Sequence, residues 1–249
     1  NCDDCPWWQW DQHGQDPDPG LKIRQALTLA IDRNAIVDKI IRQEGQASAA
    51  PMSWMPGGFP FNNPDWEVAP YDPERAKQLL AEGGYPDGFD IEIRIFPLGG
   101  RPYQTDLGEA VAGYWEDIGV NVERTLSEYR PTVRTGLEKR NHKFSYVFTT
   151  GFRDEPLMYL RILFTPKASV AHFEDPVITE FVDKLAAEPD LNKRMVMSRD
   201  AGDWVVENRM AIPLLSVNSL WALSNRVGEW DTMESNDDFH NLESVTPAR

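Results

Sequence analysis

Apolar and polar positions alternate along this chain with two distinct periods. From Leu21 the period is helical: Ile23, Leu27, Ala30 and Ile31 fall three and four residues apart, as on one face of an amphipathic helix. The turn-forming run DPDPG at 16–20 is its entry. Asp32 then sits where an N-cap belongs, ahead of a second helix carrying Ile36, Val37, Ile40 and Ile41. Asp72-Pro73 opens a third helix, with Asp as cap and Pro at the first helical position. Ala76, Leu79 and Leu80 are its buried stripe, and Gly83-Gly84 closes it. The period then switches to two. Phe89, Ile91, Ile93 and Ile95 alternate with polar residues, the pattern of a half-buried strand. A helix over 103–118 is stopped by Gly119, and Val120 and Val122 begin a second strand that extends toward Leu126. A short helix at 132–139 leads to a strand at 144–149. Residues 157–164 read as helical, and longer helices fit 176–187 and 191–208. The last of these shows an apolar face of Met195, Val196, Trp204 and Val205. Ile212 to Leu223 is apolar and β-prone, broken by Ser and Asn.

The central succession of helix, strand, helix and strand predicts an α/β domain. Residues 45–70 interrupt it with a Gly/Pro/Asn-rich aromatic stretch too long for an ordinary connection. Trp54, Phe59, Phe61 and Trp66 are the side chains expected to pack that loop on itself. Trp115 and Trp204 fall on helical apolar stripes and are expected in the core. Residues 1–20 read as a connector or arm, and the last twenty as acidic and mobile or edge-packed. No internal repeat and no low-complexity tract is present.

Composition narrows the function classes. Of 249 residues 41% are hydrophobic and 26% charged, which is globular and excludes wholesale disorder. No apolar run is long enough to span a bilayer. The formal net charge of −15 opposes general nucleic-acid binding, which needs clustered Lys and Arg, and opposes adsorption to an anionic membrane. Cys2 and Cys5 are the two cysteines, and their spacing suits a short-loop disulfide, half a metal site or a redox pair. No signal peptide is visible, and the chain opens on Asn1 rather than Met, which reads as a processed chain or a fragment.

No catalytic motif is present: there is no G-x-S-x-G, no H-E-x-x-H and no G-x-x-x-x-G-K-[ST]. His13, His142, His172 and His240 are scattered among polar or loop-like residues, where a solvated role is expected. The segment that draws attention is 149–156, TTGFRDEP, between an apolar strand and a helix. A strand end that opens through Gly151 into a helix is where α/β folds place ligand groups. There Phe152 is a candidate stacking wall, Arg153 an anion or hydroxyl partner, and Asp154 a cation or hydroxyl acceptor. The competing assignment is a surface turn whose Asp caps the next helix. Arg101, Tyr103 and Thr105 also follow a strand and open a helix, so they are candidates for the same cleft, as is Trp54 in the long loop.

Several segments together resemble the extracellular solute-binding proteins of family 5, the peptide/nickel-type receptors of ABC importers. They are LKIRQALTLAIDRNAIVDKI at 21–40, YDPERAKQLLAEGGYPDGF at 71–89 and YWEDIGVNV at 114–122, with weaker likeness at 175–194 and 212–223. The resemblance implies a lobe of a type II (class C) periplasmic binding fold, a mixed sheet flanked by helices. It also implies a division into an arm from a first lobe (1–20), a second α/β lobe (21–210), and return strands with an acidic tail (211–249). The first lobe is not in this sequence, so the return strands are expected to lack their usual sheet neighbours and the chain alone to bind ligand weakly. The family's cleft motif, GW-x-ADYPDP, is shortened here to Gly151-Phe152-Arg153-Asp154-Glu155-Pro156. The Asp that meets a peptide amine in the family falls in the gap, unless Asp154 substitutes for it. An Arg beside an aromatic suits a sugar, an anionic metabolite or an opine-like ligand as well as a peptide.

The implied function is capture of a small polar solute outside the membrane by a monomer, without cofactor, catalysis or nucleic acid. Delivery is to ABC permease subunits, with the membrane touched only through them or a lipid anchor. The alternatives are a ligand-sensing domain of a regulator on the same fold, and a metal-dependent hydrolase using Cys2, Cys5 and His13.

Overall fold

A computed structural model describes residues 5–8, 18–42, 45–51, 61–141, 143–149, 157–218, 223–230 and 242–248. Helices α1 (Pro19–Leu29), α3 (Pro73–Glu82), α7 (Pro176–Ala187) and α8 (Leu191–Glu207) each start behind an aspartate. The carboxylates of Asp18, Asp72, Asp175 and Asp190 accept from main-chain N–H groups of the first turn, at 2.7–3.1 Å. Asp32 does the same for α2 (Arg33–Ile36), accepting from Ala35 N at 2.9 Å. The predicted second helix changes character after α2: Val37–Ile41 is π-helical and ends at Arg42 in the left-handed region.

The central sheet has three parallel strands in the order β3 (Asn121–Leu126), β2 (Asp90–Ile95), β4 (Phe144–Ser145). Ile91, Ile93 and Ile95 are buried and face helix α4 (Gln104–Asp117) in the largest core, which α1 and α3 complete. Trp115 lies in that core as expected, and its indole donates to Leu27 O at 3.1 Å. Glu92 and Arg94 face the other way, toward Phe144, whose ring lies 3.9 Å from the Arg94 guanidinium carbon. On that face Phe96, Phe144 and Val170 form a second core with Val133 and Leu137. Those two residues come from a π-turn (Tyr129–Arg134) and α5 (Thr135–Glu138). A third core joins α6 (Leu157–Leu163), α7 and α8. Among the described residues no helix is long and apolar enough to cross a membrane.

Several expectations are corrected. The strand expected at 144–149 pairs in the sheet only at Phe144–Ser145, opposite Glu92 and Ile93, and residues 146–149 continue without ladder pairing. Leu126 ends the edge strand and is 79% exposed. The buried stripe of α8 is Ser198, Ala201, Gly202 and Val205, so Val196 is exposed rather than on the apolar face; Trp204 is partly buried against the third core. The long loop does not pack only on itself. Phe61 and Trp66 enter the third core, and Asp203 accepts from Trp66 Nε1 at 2.7 Å and Asn63 Nδ2 at 2.8 Å. Trp54 and Phe59 lie outside the described residues.

The same loop begins with a strand that the pattern did not reveal, β1 (Gly45–Ala47). It pairs antiparallel with β5 (Leu215–Val217), the short ordered part of the β-prone stretch expected to run to Leu223. The return segment therefore has a sheet neighbour within this chain. The described end of the acidic tail packs back on residues 226–229: Val227 bridges Pro247, and Gly228 N donates to Thr246 O at 2.8 Å. At the other end, Pro6–Trp8 forms a 3-10 turn on α1, with Trp7 against Phe89 and Trp8 against Phe173. Cys5 is buried and disulfide-bonded, which removes its sulfur as a thiolate ligand; Cys2 and His13 lie outside the described residues.

Candidate functional site

The sheet order marks one place as the candidate for a site. From β2 the chain crosses through α4 to β3 on one side, then through α5 to β4 on the other. Helices α4 and α5 cover opposite faces of the sheet, as their separate cores show. The carboxyl ends of β2 and β4 therefore flank a topological switch point, the place where open α/β sheets bind ligands. The two segments are 96–103 and 146–149, and the candidates Arg101 and Tyr103 fall in the first.

Arg101 closes a tight turn, bridging to Leu98 and donating from its own N–H to Leu98 O at 2.9 Å. Gly100 within that turn has φ +74°, a conformation natural to glycine. Tyr103 precedes the first residue of α4 and packs against the largest core, so much of its ring is structural. Gly151, Phe152, Arg153 and Asp154 lie outside the described residues, and so does the question of whether Asp154 caps α6.

The chain entering that segment is held in an unforeseen way. Beyond β4, residues 146–149 keep their period-2 alternation: Tyr146 and Phe148 join the second core, and Val147 packs on the first. Gln104, 2% exposed at the start of α4, spans them. Its Nε2 donates to Val147 O at 2.6 Å, and its Oε1 accepts from Thr149 Oγ1 at 2.7 Å. The first turn of α4 and the exit of β4 are thus joined directly. Nothing local signals this, since Gln in a first helical turn reads as a solvated residue.

Aromatic rings line the same end of the sheet. Phe96 lies 5.3 Å from Tyr129 and 6.4 Å from Tyr146, and Tyr129 lies 5.4 Å from Phe148. His172, expected to be solvated, is instead enclosed by Tyr146, Phe148 and Phe164. Its Nδ1 hydrogen-bonds the Tyr146 hydroxyl, and its main-chain N–H donates to Leu163 O at 2.7 Å. The loop around His172 therefore braces both the residues before the candidate segment and the helix after it. Burial raises the phenols of Tyr129 and Tyr146 above their ordinary value, Tyr146 the more strongly. Among the described residues no group of three His, Cys, Asp or Glu is placed to hold a metal ion.

Comparison with known proteins bears on this geometry. A solved dipeptide-binding protein from Pseudoalteromonas sp. SM9913, in complex with Met-Leu, superposes with TM-score 0.70 at 24% identity, covering 82% of this chain and 41% of that one. Among curated proteins, heme-binding protein A of Haemophilus influenzae is 34% identical over 125 residues, 48% of this chain and 22% of the relative. The dipeptide-binding protein of Escherichia coli is 28% identical over 192 residues, 73% of this chain and 34% of the relative. The matches thus span well under half the length of these proteins. Residues 15–169 match the model of the bacterial extracellular solute-binding proteins, family 5, middle region, and the chain belongs to that family.

Proposed function

We propose that this chain is part of the substrate-binding component of an ABC importer. It captures a small polar solute between two lobes outside the cytoplasmic membrane and presents it to the permease. The observation that carries this is the match of residues 15–169 to this family, with the switch point between β2 and β4 as the place in the fold where a ligand would sit. No residue is assigned a catalytic role. The disulfide at Cys5 suits an oxidising compartment. In this reading residues 21–210 are the second lobe, 1–20 an arm, and 211–249 the return toward the first lobe. The β1–β5 pair then ties the return segment to the second lobe. Closure shifts an open–closed equilibrium by the ligand's differential affinity for the two states.

The proposed contacts are Gly151, Phe152, Arg153 and Asp154, with Arg101, Tyr103 and Trp54 around them. Two relatives are named for heme and dipeptide binding. The test is thermal unfolding of the complete protein against Met-Leu, longer peptides, oligosaccharides, opine-like conjugates, hemin and nickel chelates. A true ligand at about a hundred times its Kd adds about 2.7 kcal/mol, a shift of several degrees. A flat panel with a folded protein counts against the receptor reading. With a ligand in hand, Phe152→Ala and Arg153→Ala should each weaken binding at least tenfold, as roughly 1.4 kcal/mol per contact implies. Unchanged affinity in both moves the site elsewhere.

A further inference from the structure

We infer that Arg33 and Arg209 form an oxyanion site, at which one carboxylate or phosphate group is held on the 208–213 turn. The inference does not depend on the solute-receptor reading above.

Three arginines meet at this turn. Arg24 donates from Nε to Asn208 O at 2.7 Å and is answered by Asp18, whose carboxylate also accepts from Leu21 N. Arg33 donates from Nε to Pro213 O at 2.8 Å and from Nη1 to the Thr28, Ile31 and Ala69 carbonyls. Those bonds leave out its Nη2, which is buried and has no hydrogen-bond partner among the described residues. Buried N–H groups of a charged side chain are costly to leave unmatched, and Arg33 is 3% exposed. Arg209 stands in the turn itself and is half-buried. Among the described residues its guanidinium has neither a hydrogen bond nor an ion pair.

The two charges are close enough to oppose each other: burial, and then repulsion from Arg209, lowers the pKa of Arg33, and burial lowers that of Arg209. Like charges held together away from bulk water are unfavourable until a counter-charge joins them. In a chain of net charge −15 such a pair stands out. The backbone points the same way. Helix α8 closes with Arg209 N donating to Val206 O at 3.2 Å and Met210 N to Val205 O at 3.1 Å. Arg209 has φ +50° in that closure, a position that glycine fills with least strain. The turn thus carries strain with a guanidinium in place of a glycine. Guanidinium forks hold carboxylate and phosphate through parallel N–H···O bonds. Arg209 is the accessible contact, and Arg33 adds its charge from the buried side. Two sources share this chemistry: an anion from solution, and a carboxylate elsewhere in the complete protein.

The experiment is thermal unfolding of the complete protein in inorganic phosphate and in chloride at matched ionic strength. It compares the wild type with Arg209→Met, which keeps the apolar stem and removes the charge, and Arg209→Lys, which keeps the charge without the fork. For an anion from solution, phosphate should raise the wild-type midpoint by several degrees and saturate. Arg209→Met should then weaken phosphate binding about tenfold or more, and Arg209→Lys by less. For a carboxylate of the protein, phosphate should shift no midpoint, while Arg209→Met lowers it and Arg209→Lys lowers it less. An Arg209→Met midpoint equal to or above that of the wild type, with no phosphate response, overturns the proposal, because relief of repulsion is then the whole effect. A phosphate shift of equal size in the wild type and Arg209→Met also overturns it, being a general salt effect. If Arg209→Met does not fold, the wild type and Arg209→Lys decide it by the same signs.

Discussion

Arg33 shows how much one side chain organises here. It is 3% exposed and has no carboxylate partner among the described contacts. Its Nε donates to Pro213 O at 2.8 Å, and its Nη1 to Thr28, Ile31 and Ala69 carbonyls at 3.1–3.4 Å. Burial, and then repulsion from Arg209, lowers its pKa to about 10, so it stays charged at neutral pH. Arg24 does a parallel job: paired with Asp18, it donates to Trp7 O and Asn208 O, each at 2.7 Å. Both arginines pin the 208–213 turn, which leads into β5, onto the N-terminal helices. Arg33→Met strips donors from several buried carbonyls and should cost about 3 kcal/mol in urea unfolding. An unchanged midpoint would show that those carbonyls find water. Tyr146 carries a pH effect. The folded state holds its phenol neutral, while the unfolded state ionises near pH 10. The unfolded state then binds fewer protons, so stability falls as pH rises above about 10. Tyr146→Phe should show a smaller drop in urea midpoint between pH 9 and 11 than the wild type, and an equal drop would refute the assignment.

At the scale of elements, the helices were legible and the short strands were not. The aspartate caps at 32 and 72 and the stripe Ala76, Leu79 and Leu80 are local features, and the structure reproduces them; the starts of α7 and α8 also fall where the sequence placed them, behind Asp175 and Asp190. β1 and β5 are three residues each, too short for period-2 alternation to register, and each exists because the other supplies its hydrogen bonds. The β2–β3 unit depends on two glycines that look alike in sequence. Gly88 has φ +79°, and a Cβ there would sit 1.8 Å from Gly119 O. Gly119 has φ +96°, and a Cβ there meets nothing within 4 Å. Gly119→Ala should therefore cost about 1 kcal/mol from backbone strain alone. Gly88→Ala adds a backbone collision and should cost about 3 kcal/mol or more. Equal losses on denaturation would mean that the turn relaxes to admit the methyl.

For the whole molecule, polar side chains join elements that are far apart in the chain. Gln104 links α4 to the β4 exit, Asp203 links the 61–66 loop to α8, and Arg140 links the segment after α5 to Glu174 at 2.8 Å. The switch point lies at the end of the sheet, and its place follows from the strand order β3-β2-β4.

The sequence by itself determined the α/β class, the helix starts, the central alternating strand and the family, because capping, periodicity and long matching segments are carried by neighbouring residues. It also singled out the segment beyond β4 and the loop holding Arg101 and Tyr103 as candidates. Only the tertiary structure decided that Gln104 joins the start of α4 to Val147 and Thr149, that His172 is enclosed by rings, and that the return segment pairs with β1. Each of these is a contact between residues tens of positions apart. A hydrogen bond closed across such a distance leaves no periodic trace in either partner, so it becomes visible only when the chain is folded.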